Sequence, residues 1–142
     1  MSEKHRFPHG QPIDHIGIVV ADLAESLKLY VETLGFREAY REIVAEQGVE
    51  IVGVAAGDVI IELLRPLASD SPVARFRGDA PSRIHHIAYR VGDIRYELAR
   101  LKACGVRLID ETPRKGALGN AIAFLHPKST GGTLIELCQR TT

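Results

Sequence analysis

Alternating and helical stretches of apolar residues follow one another along this chain in an order that is used twice. After Pro12, the run Ile13 to Val20 reads as a strand. Asp22 then stands at a helix N-cap position, with Glu25 three residues on as a capping box. Leu23, Leu27, Tyr30, Val31 and Leu34 recur at helical spacing, and Gly35 supplies the stop. Phe36 to Val44 reads as a strand. Val49 to Ala56 and Val59 to Arg65 read as a hairpin around Gly57-Asp58. The predicted unit is βαβββ.

Residues 66–83 break this rhythm with Pro66, Ser69, Ser71, Pro72, Gly78 and Pro81. Within them Ser71 and Pro72 predict a short helix from Pro72 to Phe76, capped by Ser71. The strand-helix order then resumes. Ile84 to Val91 reads as a strand, and Asp93 caps a helix carrying Ile94, Leu98 and Leu101 that Gly105 ends. Val106 to Ile109 is expected as a strand and Glu111 to Asn120 as a loop. Ala121 to Leu125 and Thr133 to Cys138 are the last strands, joined by the turn His126 to Gly132. This predicts an α+β domain of two βαβββ repeats, one incomplete barrel built by both halves. Repeat one spans 12–66, the linker 67–83 and repeat two 84–140, within one domain over 12–142. Residues 1–11 are expected to be a flexible lead-in.

The two copies share more than their pattern. Asp14-His15-Ile16-Gly17 returns as His85-His86-Ile87-Ala88, 71 residues later. Asp22-Leu23 returns as Asp93-Ile94 at the same offset, and Ile61-Glu62-Leu63 as Ile135-Glu136-Leu137 at 74. Side chains alternate faces along a strand, so only one of His85 and His86 points the way His15 does. The internal match selects His86. A glutamate in the middle of an apolar strand is costly to bury without a cation or a partner. Both repeats place one there. His15, Glu62, His86 and Glu136 are therefore candidate metal ligands. Two imidazoles and two carboxylates suit Co²⁺, Zn²⁺, Ni²⁺, Mn²⁺ or Fe²⁺. They leave two octahedral positions for a substrate that chelates through two oxygens.

Composition bounds the function classes. The 142 residues are 45% hydrophobic and 25% charged, ordinary globular values. The 18 basic residues balance the 18 acidic ones, so no excess charge points to nucleic acid or an anionic membrane. No stretch approaches the ~20 apolar residues of a membrane span, and the N-terminus lacks an apolar signal core. Cys104 and Cys138 form no ligand spacing and read as buried or half-buried free thiols of a reducing compartment, which makes the cytoplasm the expected location. Lys128, Arg114 and Lys115 read as solvated loop charges. His5, His9 and His126 read as non-ligands.

Several segments carry a family resemblance. They are Asp14-His15-Ile16-Gly17-Ile18, Glu46-Gln47-Gly48-Val49, Ile61-Glu62-Leu63-Leu64 with Pro66, and Asp70-Ser71-Pro72-Val73-Ala74. With them go Ile84-His85-His86-Ile87-Ala88 and Phe124-Leu125-His126-Pro127-Lys128-Ser129, running into Gly132 and Leu134-Ile135-Glu136-Leu137. Together they resemble the vicinal oxygen chelate superfamily, and within it the methylmalonyl-CoA epimerase family, from Ile13 to Gln139. The resemblance implies a glyoxalase-like fold and a divalent metal, most often Co²⁺, with Zn²⁺, Ni²⁺ or Mn²⁺ as alternatives. It implies interconversion of (R)- and (S)-methylmalonyl-CoA by 1,1-proton transfer through a metal-stabilised enolate. Glu136 is then one acid/base group, and Glu50, after the Glu-Gln-Gly turn, is the nearest match to the other. Glu62 stands where some epimerases carry Gln. A small acyl-CoA substrate and a homodimer are further implications. The rival readings are glyoxalase I, whose last turn usually differs from His126-Pro127-Lys128-Ser129, and a non-catalytic small-molecule binder on the same fold.

Overall fold

The computed structural model describes residues 12–141, so the expected lead-in 1–11 lies outside the described residues. The chain forms two compact units. One is His15–His85. The other comprises residues 12–14 and 86–141.

The first unit carries strand β1 (Ile13–Val20, whose first two residues belong to the other unit), helix α1 (Leu23–Leu27), β2 (Arg37–Val44), β3 (Val49–Ala56), β4 (Val59–Pro66) and helix α2 (Pro72–Arg77). Its strands lie in the order β2-β3-β4-β1. β2/β3 and β3/β4 are antiparallel, and β4/β1 is parallel. The Asp22 carboxylate accepts the Glu25 N–H at 3.0 Å, the predicted N-cap. The helix does not stay α-helical to its end. Lys28–Thr33 form a π-helical segment, with Leu34 N–H on the Leu29 carbonyl at 2.8 Å. Gly35, at φ 80°, then turns the chain into β2, a conformation that favours glycine. Val20, Leu23, Val52, Val54 and Leu63 are buried together, with Ile18, Leu27 and Tyr30 packed against them. One face of this sheet therefore lies under the helix.

The second unit carries β5 (Ser82–Arg90, the latter part of which belongs here), α3 (Ile94–Ala103), β6 (Arg114–Lys115), β7 (Ala121–Phe124) and β8 (Ile135–Gln139). The order is β5-β8-β7-β6, with β5/β8 parallel and the other pairs antiparallel. This reproduces the pairing scheme of the first unit. Asp93 caps α3 through Tyr96 N–H at 3.1 Å, and Gly105, at φ 90°, ends it. Val91, Ile94, Leu98, Ala123, Leu125 and Leu137 form the buried cluster between helix and sheet.

Two expected elements of the second repeat change places. Val106 to Ile109 does not form a strand; its pairing is a single antiparallel bridge, Leu108 to Leu125. The Ser129 hydroxyl accepts the Arg107 N–H, and Val106 N–H goes back to Leu101 O. These partners occupy the donors that a ladder needs. The third strand comes instead from the expected loop, as Arg114–Lys115 pairs with Ile122 and Ala121. Of the two thiols, Cys138 is buried and Cys104 is exposed, where burial or half-burial was expected. Among the described residues no helix is long and apolar enough to cross a membrane.

Candidate metal centre

Each unit brings a predicted histidine against a predicted glutamate. In the first, His15 Nε2 lies 3.4 Å from Glu62 Oε1. In the second, His86 Nε2 lies 3.5 Å from Glu136 Oε1. All four residues are buried, between 2% and 5% exposed.

The strand register explains both pairs in the same way. β1 runs parallel to β4 with Gly17 beside Glu62, and β5 runs parallel to β8 with Ala88 beside Glu136. In each case the histidine is two residues before the small one, and so on the same face. A glycine or alanine beside each glutamate leaves open the space between imidazole and carboxylate. This is the physical content of the His-Ile-Gly and His-Ile-Ala segments.

Two ligand atoms about 2.1 Å from one ion lie about 3.0 Å apart at an octahedral right angle and about 3.4 Å apart at a tetrahedral angle. The 3.4 and 3.5 Å separations are of that size. Neutral imidazole and carboxylate are donors that zinc, cobalt, nickel and manganese accept. The residues therefore fit a divalent metal.

Glu50, expected as an acid/base partner, does not join this face. Gly53 is the residue beside Glu62, so the Glu62 side of β3 is that of Ile51 and Gly53. Glu50 shares the opposite side with Val52 and Val54, which lie in the cluster under the helix. Its carboxylate accepts a bond from Arg65 Nε at 2.9 Å. Position 51, which does face Glu62's side, is an isoleucine.

His85 takes the other face of β5 from His86. Its ring stands edge-on to Phe76 at 4.9 Å, and burial lowers its pKa below the ordinary 6.5. Of the loop charges, Arg114 lies over the Phe124 ring at 5.1 Å and pairs with Asp110 at 3.3 Å. Arg114, Lys115 and Lys128 are all exposed, as expected of solvated loop charges. The His126 ring accepts the Lys128 N–H and so caps its own turn. His5 and His9 lie outside the described residues.

Two groups escaped the sequence reading. Tyr40 donates its hydroxyl to Glu62 Oε2 at 2.6 Å. Asp14 is buried at 4% exposure and accepts bonds from Arg90 Nε at 3.1 Å and Arg140 Nε at 2.7 Å. Asp14 matched His85 in the internal alignment, and nothing local to it announced two arginines 76 and 126 residues away.

Residues 14–124 match the Glyoxalase/Bleomycin resistance protein/Dioxygenase superfamily. The chain belongs to that superfamily. It is 40% identical over 126 residues to the mitochondrial methylmalonyl-CoA epimerase of Dictyostelium discoideum, covering 88% of this chain and 76% of that one. It is 38% identical over 129 residues to the ethylmalonyl-CoA/methylmalonyl-CoA epimerase of Cereibacter sphaeroides, covering 89% and 96%. The crystal structure of methylmalonyl-CoA epimerase from Mycobacterium tuberculosis superposes with a TM-score of 0.88 at 34% identity, over 99% of this chain and 97% of that one. The glyoxalase-like α+β fold expected from the sequence is thereby established, and the chain falls among the epimerases of this superfamily.

Proposed function

We propose that this protein is a metal-dependent epimerase that interconverts (R)- and (S)-methylmalonyl-CoA. The observation that carries the reading is the repeated His–Glu pair, in a chain 38–40% identical to two such epimerases over nearly its whole length. In this reading His15, Glu62, His86 and Glu136 would be the ligands of a divalent ion. The donor set accepts Co²⁺, Zn²⁺, Ni²⁺ or Mn²⁺, with Co²⁺ first. The bound ion supplies Lewis-acid polarisation of the thioester carbonyl.

The chain's own part is the proton. The α-carbon of the substrate lies between a thioester and a carboxylate, and its C–H bond breaks with the electron pair passing into an enolate. Glu136 is the group that takes or returns this proton, because its carboxylate lies on the ligand face. Inversion needs return of a proton to the opposite face of the enolate. Glu50 is turned away from the ligand face and held by Arg65, which supports assigning the second role to a different group. The buried cluster of Ala88, Ile122, Phe124 and Cys138 gives the second unit's site face a lining that disfavours water.

Glyoxalase I chemistry uses a related ligand set, but the curated enzymes similar to this chain carry the epimerase name. Ethylmalonyl-CoA belongs in the substrate range, as in the name of the Cereibacter sphaeroides relative. The cytoplasm as location draws support from two free thiols, and assembly as a homodimer from the family resemblance. The test is solvent-deuterium incorporation at the α-carbon of methylmalonyl- and ethylmalonyl-CoA, with each metal, beside a methylglyoxal–glutathione assay. Failure of the metal-loaded protein to exchange the α-proton of either ester sinks the reading.

A further inference from the structure

The two carboxylates of the repeat stand in unequal surroundings. On the first unit one row crosses the sheet: Tyr40 beside Gly53, Gly53 beside Glu62, and Glu62 beside Gly17. β2 and β4 are two strand spacings apart, about 10 Å, farther than a side chain ordinarily spans without the middle strand in its way. Here the middle residue is Gly53. A Cβ built there would overlap the Cζ, Cε1 and Cε2 atoms of the Tyr40 ring. The ring therefore lies across the bare backbone of β3, and its hydroxyl arrives at Glu62 Oε2.

A register shift aims the tyrosine. Glu38 pairs with Val54 and Tyr40 with Gly53, so β2 carries one extra residue between them. In unbroken pairing Tyr40 would stand beside Val52 and point under the helix. The bulge turns it to the ligand face, a recurrent use of bulges near functional sites.

The second unit has no such arrangement at the equivalent place. The residue beside Glu136 on β7 is Phe124, where the first unit has Gly53. Its ring carries no hydroxyl and stands edge-on to His86 at 5.5 Å.

We propose that Tyr40 is a positioning residue that fixes Glu62 as a one-oxygen metal ligand. Its hydroxyl caps Oε2 and leaves Oε1 turned toward His15. Glu62 is thus held to ligation, while Glu136, beside a hydrocarbon ring, is the carboxylate that moves a proton. The inference rests on the metal reading above. Donors behind ligating side chains are typically worth about 10–100-fold in metal affinity.

The test is Co²⁺ titration of the metal-free full-length protein, followed by visible absorption, with Y40F, G53A and the double variant. Y40F is expected to weaken Co²⁺ binding about 10–100-fold and to shift the cobalt bands, with the melting temperature of the metal-free protein unchanged. G53A keeps the hydroxyl but displaces the ring, so it reproduces the loss. The double variant loses no more than the worse single one, because both act through one contact. At saturating Co²⁺, kcat falls while KM for methylmalonyl-CoA holds. Wild-type affinity and spectrum in Y40F overturn the inference alone, provided that H15A and E62A weaken Co²⁺ binding. If H15A and E62A also bind Co²⁺ like the wild type, the metal reading falls and takes this inference with it.

Discussion

Glu50 and Arg65 face each other across β3 and β4 at 2.9 Å, on the side of the sheet away from Glu62. The pair is structural, and a weak one, because Arg65 is 41% exposed. Such pairs contribute about 0–1 kcal/mol. Glu50→Gln is therefore expected to lower stability by less than about 1 kcal/mol and to leave epimerase turnover within two- to three-fold of wild type. Urea unfolding and an initial-rate assay measure the two. A hundred-fold loss of kcat would restore Glu50 to the chemistry.

Glu136 is the opposite case. General acid/base groups are typically worth about 10²–10⁴-fold. Glu136→Gln is expected to lower kcat by that order, with KM for the CoA ester little changed. Metal analysis of the variant separates loss of a proton carrier from loss of an ion. A variant that keeps its metal and stays within ten-fold of wild type shows that Glu136 transfers no proton.

The contrast between the two glutamates marks how far the sequence could be read. Alternation along a strand places Glu50 with Val52 and Val54, but it does not say which face of β3 meets Glu62. That depends on the register Gly53 to Glu62, a cross-strand property. The paired His and Glu positions were legible because the chain prints them twice at a nearly constant offset. Tyr40 was not, because its direction depends on a one-residue slip between β2 and β3 that no side chain signals. The strand Arg114–Lys115 was hidden for another reason. Two charged residues at a sheet edge carry no hydrophobic period. The π-helical segment after α1 likewise leaves the apolar spacing of Leu27, Tyr30 and Leu34 readable as a plain helix.

Metal removal should be visible without substrate. An ion that binds only the folded state stabilises by RT ln(1 + [L]/Kd), about 2.7 kcal/mol at one hundred times Kd. A chelator is expected to abolish turnover and lower the melting temperature, and Co²⁺ to restore both. In H86A the melting temperature should no longer respond to either. A chelator-induced shift that survives in H86A places the ion elsewhere.

His85 predicts a pH dependence of stability. Its pKa is lowered by burial below the ordinary 6.5, so the unfolded chain takes up a proton before the folded one does. Its contribution is complete above 6.5 and declines as the pH falls toward the lowered folded-state value. His85→Phe keeps an aromatic ring against Phe76 and removes this term. In metal-free protein, the urea midpoint should fall less in His85→Phe than in wild type between about pH 7.5 and 5.5, the interval that spans histidine titration. Equal falls would mean that His85 titrates alike in both states.

The residue before the first candidate ligand supplies the sharpest stability test. Asp14 is 4% exposed, and one of its oxygens accepts from both Arg90 and Arg140. The two arginines are 33% and 39% exposed, so solvent screens them while the carboxylate stays dry. Removing the carboxylate leaves two guanidinium groups without their shared acceptor at the strand that carries His15. Breaking a buried charge cluster costs about 3–5 kcal/mol, and the partial exposure of the arginines places Asp14→Ala near about 3 kcal/mol. Asp14→Asn keeps an acceptor and loses less. Denaturant unfolding of the metal-free variants gives the order wild type, Asn, Ala. Activity at saturating metal should follow stability in both, because Asp14 holds the strand and not the substrate. A variant that is stable yet inactive would place Asp14 in the chemistry instead.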